Sequence, residues 1–381
     1  MRIYRSYAGI ALAVLTALAG VAHAEDAAPK PALPALPSIS DLLTASGLTL
    51  TGYVDATFAA QKDDTTKQSY DTFALQQAAF TLSMLPKSGF GALVNVVAGQ
   101  NPYSATGFAS TPAGIGATST NFYLLQGFVQ YATGNWTIQG GKFSTLAGAE
   151  VAAPPLNTNT TRSILFAFEP VTHTGVRVTY AASDQLSFIV GVNNGWTNSQ
   201  DTSTGGDKTL EAGLAYTPSK TLTWTLQGYY GRDASNYVGE DGSTIRTNIG
   251  LLDSVLTWSA TSALTLVGSL DYGTVKSTAF SPSASWYGIA LYENYAINDL
   301  WRVSVREEYL NDQDGYLTKN FAADFGGSAQ KLKELTVTLG FDPIKSVEVR
   351  LEGRYDDPDK VGGVQMVPKT YQGWLEAYYK F

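Results

Sequence analysis

The sequence has no cysteine and only two histidines, His23 and His173. The first absence excludes disulfides, thiolate nucleophiles and cysteine-ligated metals. The second leaves little from which to build a general base or an imidazole metal site. Charge is also scarce. Asp, Glu, Lys and Arg make up 15% of 381 residues, against roughly a quarter in an ordinary soluble protein. The formal net charge of −8 speaks against a nucleic-acid partner. Beyond the N terminus no run of about 18 apolar residues exists, so no helix is expected to span a bilayer. What the chain does have is aromatic residues, 12% of the total with 22 Tyr among them, and 37 Gly. That composition fits neither a coiled coil nor a disordered chain.

The N terminus reads as an address. Arg2 and Arg5 precede an apolar stretch from Ala8 to Ala22, and Ala22-His23-Ala24 fits an A-x-A cleavage pattern. Residues 1–24 are therefore expected to be a signal peptide, with an apolar core too short for a permanent anchor. Residues 25–47, with PKPALPALP at 29–37, read as a Pro-rich periplasmic leader, and residues 48–381 as the structured domain.

From Leu48 onward the dominant signal is period-2 alternation in segments of about ten residues, the length of a tilted membrane-spanning strand. Sixteen such segments are predicted: 48–58, 73–84, 91–99, 122–133, 135–144, 173–182, 185–194, 208–217, 222–231, 246–259, 264–273, 284–296, 300–311, 332–342, 347–356 and 370–381. Their connections alternate. Short turns such as PKSG (86–89), ATGN (132–135) and IND (297–299) take turns with long loops such as 100–121, 145–172 and 312–331. Tight turns on one rim and long loops on the other are the pattern of an outer-membrane barrel. The expected fold is all-β: a transmembrane antiparallel up-and-down β-barrel of about 16 strands in the cell outer membrane.

Face composition supports a membrane barrel over a soluble sandwich. In the fifteenth segment Val347, Val349, Leu351, Gly353 and Tyr355 alternate with Glu348, Arg350, Glu352 and Arg354. In the thirteenth, Trp301, Val303, Val305 and Tyr309 alternate with Arg302, Ser304, Arg306 and Glu308. On the apolar face aromatics recur as pairs eight residues apart: Tyr123/Tyr131, Tyr287/Tyr295, Trp301/Tyr309 and Tyr371/Tyr379. Eight residues of tilted strand climb about 20 Å, close to the spacing of two interfacial girdles. A sandwich core gives no reason for rings at both ends of each strand.

A barrel of this size is wide enough to hold water. Inward charges are then expected to include Arg177, Arg302, Arg306, Arg350 and Arg354, with Asp55, Glu211, Asp271, Glu308, Glu348, Glu352 and Glu376 opposing them. Such residues line a pore and set its field, or pair across strands and brace the wall. The leader is too short to be a plug. The longest loop, 145–172, carries Glu150, Arg162 and Glu169 with two apolar stretches, Val151 to Leu156 and Ile164 to Phe168. Folding inward would bury those stretches against the wall and constrict the lumen. A surface lid is the alternative.

Resemblances sharpen this reading. The ordinal place of loop 145–172 resembles that of the constriction loop in sixteen-stranded general porins. The last segment, YQGWLEAYYKF ending at Phe381, resembles the C-terminal signal by which the barrel assembly machinery recognises its clients. The stretches GKFSTLAGAEV (141–151), NTNTTRSILF (157–166), THTGVRVTYA (172–181) and LSFIVGVNNGW (186–196) look like the hallmark segment of the OmpL-like, or type-2, β-barrel porins. That resemblance implies a porin-like diffusion channel, without an agreed substrate or established catalytic residues.

No enzymatic constellation emerges. His173, in THTG, suits a structural role. GGKF (140–143) has Phe143 where a phosphate loop needs Ser or Thr. DQDG (312–315) lacks the glycine and the terminal acid of a calcium loop. No cofactor and no metal are expected. The expected partners are outer-membrane lipid and lipopolysaccharide, small hydrophilic solutes, the assembly machinery through Phe381, and two further copies in a homotrimer. The rival reading is a closed barrel acting as a surface adhesin or an envelope-tethering structure.

Overall fold

The computed structural model describes residues 46–64, 67–100, 121–200, 206–233, 247–277, 283–317, 329–361 and 367–381. The expected signal peptide, nearly all of the leader and parts of several long loops lie outside the described residues. Sixteen strands run β1 (Thr49–Asp63), β2 (Ser69–Met84), β3 (Gly89–Gly99), β4 (Asn121–Thr133), β5 (Trp136–Ser144), β6 (Thr172–Ala181), β7 (Leu186–Asn193) and β8 (Thr209–Ser219). They continue with β9 (Leu222–Asp233), β10 (Thr247–Ser259), β11 (Leu264–Ser277), β12 (Ala284–Ala296), β13 (Trp301–Asp312), β14 (Gln330–Ile344), β15 (Val347–Asp356) and β16 (Thr370–Lys380).

Each strand pairs antiparallel with its sequence neighbours, and β1 pairs with β16, so the sheet closes into a barrel without free edges. Closure matters because an open edge in lipid would leave a row of N–H and C=O groups unpaired. The seam runs from Tyr53↔Lys380 to Asp63↔Thr370. It finishes with reciprocal bonds between Gly52 and Phe381, N–H to O at 2.9 and 3.0 Å. Position 52 suits glycine here, since a Cβ would lie 2.6 Å from the Ala79 carbonyl oxygen as well as against the Phe381 ring.

The side-chain alternation is that of a membrane barrel. Val190, Leu252, Leu270, Leu291 and Leu351 are exposed on the outer face. Asp55, Asp253, Arg306, Arg350 and Glu376 are buried on the inner one. Several strands are longer than the alternation suggests: β1 runs to Asp63 and β2 begins at Ser69. On the long-loop side the ladder continues through Lys62↔Ser69 and Lys62↔Tyr371. There the outer side chain is polar too, so the apolar/polar signal ends before the strand does.

One pair of girdle residues is misplaced by simple counting. Between β3 and β4 the register shifts at Asn95/Val96, leaving Leu125 as the extra residue of a bulge. Upstream of it the faces swap. Phe122 and Leu124 are outside, 74% and 49% exposed, on the face that carries Tyr131. Tyr123 therefore points the other way and does not pair with Tyr131. A similar bulge in β2, between Asp55 and Ala56 of its partner, turns both Gln76 and Gln77 inward.

Candidate constriction loop and its charged wall

The connection between β5 and β6 starts and ends at the inner wall. Thr145 N–H donates to Val171 O at 3.0 Å, tying off its base. Leu146 N–H donates to the Tyr229 hydroxyl on β9 at 3.2 Å. Two short 3-10 turns, Pro154–Leu156 and Leu165–Phe168, are its regular structure. The rest of its backbone needs other partners, because a buried amide without one is costly. Asn157 supplies some locally, accepting from Val151 N–H at 2.9 Å and donating to Val151 O at 2.8 Å.

The barrel wall supplies most of the others, and the division of labour is chemical. Arginines take the loop's carbonyls. Arg302 donates to Thr158 O at 2.7 Å, Arg350 to Asn157 O at 2.7 Å, Arg306 to Thr161 O at 2.7 Å and Arg354 to Arg162 O at 2.6 Å. Glutamates take the loop's amides. Glu352 accepts from Thr160 and Thr161 N–H at 2.6 and 2.9 Å, and Glu308 from Ile164 N–H at 2.7 Å. Charge-assisted bonds of this kind are the strong ones. Behind them the wall charges neutralise one another: Arg306 with Glu334 at 2.9 Å, Arg350 with Glu376 at 3.1 Å, Arg354 with Asp356 at 2.8 Å, and Glu348 with both Arg302 and Arg350.

The loop returns the same logic. Its own Glu150 accepts from Arg306 at 2.8 Å and from Ser163 N–H at 2.6 Å. Arg162 donates to Ala152 O at 2.9 Å and lies 5.7 Å from the Phe166 ring centre. Ile164 and Leu165 enter an apolar cluster on β10 to β14 with Trp286, Tyr292, Leu310 and Leu332. On the opposite flank Gln77 of β2 donates to Ala152 O at 3.1 Å. Glu169 comes to rest beside Asp253 and Asp271 of β10 and β11. Burial, with those two acids alongside, holds its carboxyl well above the usual carboxylate range. Gly148, with φ of +84°, lies directly on the Glu169 carboxylate, where no side chain fits.

These contacts put the loop against the inner faces of β2 and β9 to β16. All the predicted inward residues do point in. Arg302 is part-buried. Arg306, Glu308, Glu348, Arg350, Glu352 and Arg354 are buried against the loop and its counter-charges. Arg177 lies elsewhere, paired to Glu211 at 2.8 Å and stacked 4.2 Å from the Phe143 ring. Glu150, Arg162 and Glu169 are buried as well. The apolar stretches divide: Ile164 to Phe166 are buried as expected, whereas Val151 and Leu156 stand 42% and 76% exposed. Ile164 and Leu165 sink into the apolar cluster of β10 to β14, whereas in the first stretch Ala152 packs on Ala79, Val97 and Leu125 while Val151 and Leu156 stay open.

Sequence reasoning missed the open part of the wall. Gln130, Gln139, Thr179, Ser187, Thr225 and Thr257 share the inner face and remain half-buried. Small neutral residues carry no motif, and only their parity could have singled them out. His173 stacks on Tyr229 with ring centres 4.8 Å apart. GGKF forms part of strand β5. DQDG is a turn, with Tyr316 N–H bonded to Asp312 Oδ1 at 2.9 Å.

A closed sixteen-stranded barrel, apolar outside and polar within, with a long loop laid on its inner wall, defines an outer-membrane channel of the porin class. Residues 47–381 match the family model described as "Putative beta-barrel porin-2, OmpL-like". The chain belongs to that family, and is an outer-membrane β-barrel for passive diffusion. No individual curated protein sequence matches it. Among solved structures it is similar to OmpT of Vibrio cholerae, in a form lacking loop L8, at TM-score 0.61 and 12% identity over 88% of this chain and 100% of that one. It is also similar to an anion-selective porin from Comamonas acidovorans, at 0.62 and 11% over 88% and 99%. The outer-membrane channel DcaP of Acinetobacter baumannii aligns at 0.60 and 12% over 88% and 97%. At these identities the likeness concerns the fold.

Proposed function

We propose that the chain is a diffusion channel for small hydrophilic solutes whose passage is set by the loop 145–171. The observation that carries this is the double row of charge-assisted bonds tying residues 157–165 to the inner wall. In this reading Arg302, Arg306, Glu308, Glu348, Arg350, Glu352 and Arg354 hold the constriction in place. Solutes pass along the neutral open stretch of wall that carries Gln130, Gln139, Thr179, Ser187, Thr225 and Thr257. Selectivity between anions and cations is then weak, because the strongest charges sit behind the loop.

The protein has no catalytic role in this reading: among the described residues no nucleophile is activated by an adjacent base, and the one imidazole after residue 24 is stacked on Tyr229 in the wall. OmpT of Vibrio cholerae has a solved trimer form, and its shared fold supports a homotrimer here. Residues 1–24 direct export, and Phe381 serves assembly. Lipopolysaccharide and lipid surround the barrel. One observation favours the rival reading of a closed barrel with an adhesive or tethering role: the loop reaches from β2 round to β16. Planar-bilayer recording separates the two. Deleting Ala153 to Thr161 is expected to raise single-channel conductance without loss of heat-modifiable folding. An intact protein that never conducts, and a deletion variant that begins to, would favour the closed barrel. Unchanged conductance would show that the loop does not constrict.

A further inference from the structure

Asp253 and Asp271 stand directly opposite each other on β10 and β11, side by side on the inner face. The loop delivers a third carboxylate, Glu169, to the same point from a different part of the chain. One oxygen from each lies within 4.8 Å of the others. The three are 0%, 4% and 6% exposed respectively. Two things set them apart from the rest of the charged wall. Among the described residues, no lysine or arginine forms an ion pair with any of them, whereas Glu150, Glu334, Glu348 and Glu376 each face an arginine. Five of their six oxygens are also unpartnered. The Gly148 amide lies beside Asp253, yet no donor reaches Glu169 Oε2, or either oxygen of Asp253 or Asp271, with hydrogen-bond geometry. Held ionised without a counter-charge, three carboxylates in a dry pocket would cost far more than any one contact returns, so either protons or a bound cation must neutralise them. A further acid, Glu150, adds to the repulsion on Glu169.

We infer that this carboxylate triad binds a calcium ion that pins the end of the loop to β10 and β11. The donor set is all oxygen, which suits a hard divalent cation and not a transition metal. Within that class, magnesium demands near-ideal octahedral geometry and gives up its water reluctantly, whereas calcium accepts irregular oxygen cages. Carboxylates from two strands and one loop also give the flexible geometry that calcium accepts. The ion would do for Glu169 what the arginines do for residues 157–165: neutralise the wall and fix the loop upon it. The site lies on the wall behind the loop, and its existence does not depend on the pore conducting.

The test uses the full-length mature barrel refolded in detergent, stripped with EDTA and titrated with calcium by calorimetry. One calcium per chain is expected. Glu169→Gln and Asp271→Asn should each weaken it about tenfold or more, since calcium affinity follows the number of charged ligands. Glu293→Gln, an acid on the outer face, should leave it unchanged. Glu169 is on the loop, so its variant keeps the experiment decisive even if a change in the barrel wall impairs folding. A second reading comes from terbium luminescence sensitised by Trp286, whose indole lies over Gly273, two residues from Asp271. Calcium should displace that signal. A stripped wild-type protein that binds no calcium would overturn the proposal in favour of carboxyls sharing protons. So would calcium binding that survives both Glu169→Gln and Asp271→Asn, which would mark surface binding only.

Discussion

Glu352 is the place to break the clamp most cleanly. Its carboxylate accepts Thr160 N–H at 2.6 Å, Thr161 N–H at 2.9 Å and the Thr338 hydroxyl at 2.7 Å. Replacing it with Gln keeps the shape but turns one acceptor oxygen into a donor. One of the two loop amides then loses its partner and meets an NH2 group instead. Leaving one buried amide unpaired costs about 1–3 kcal/mol, which raises the detached population of the loop roughly 5- to 150-fold. The protein has no cysteine, so a single introduced thiol reports without background. Ser163 is suited to this: it is 2% exposed in the clamped loop, and Ser163→Cys is nearly isosteric. The rate at which a membrane-impermeant maleimide modifies that cysteine follows how often the loop lifts. Glu352→Gln should accelerate it by the factor above, with the barrel still heat-modifiable. A folded double variant that reacts no faster than Ser163→Cys alone would refute the reasoning, because the clamp would then not hold the loop.

Three further outcomes follow from the same geometry. Arg350→Lys retains the charge but loses the fork that reaches Asn157 O, Glu376 and Glu348; open-channel noise should rise while the reversal potential in dilute salt stays put, and a shifted potential would place Arg350 on the solute path. Gln139→Arg puts a cation on the neutral open wall and should move the reversal potential toward anion selectivity, fading near 1 M salt where the Debye length is about 3 Å; no shift at low salt would mean solutes pass elsewhere. Phe381→Ala removes the ring that packs 5.7 Å from Phe80 and over Gly52; the yield of heat-modifiable barrel should fall, and full assembly would deny the seam that role.

The fold was legible because lipid imposes a rule with no exceptions. Every spanning strand must be apolar outside, so alternation and aromatic girdles appear in Val347 to Tyr355 and Trp301 to Tyr309 without any alignment. Where lipid stops constraining, legibility stops. Lys62 continues a strand whose outer face is already in water, and the predicted end at residue 58 falls short of Asp63. The Leu125 bulge was invisible for another reason. An extra leucine after Leu124 changes parity but hardly the composition, so Tyr123 reads as a girdle residue until the ladder places Phe122 outside.

The candidate site was legible in part, and the difference is instructive about charge. Parity alone put Arg302, Arg306, Arg350 and Arg354 inside. It could not say whether they face water or protein, because either environment takes the same alternation. The loop decides it, and the reason lies in the loop's own sequence. NTNTTRS (157–163) forms neither helix nor strand, so most of its amides and carbonyls reach the wall without a ladder partner. A purely apolar wall would bury them at a cost of several kcal/mol; a wall of one sign would satisfy only the amides or only the carbonyls. Arg350, Glu352 and Arg354, alternating along β15, match both. Buried ion pairs contribute little net stability against well-packed apolar residues. What this wall contributes is register: Thr160 and Thr161 meet Glu352, and Arg162 O meets Arg354.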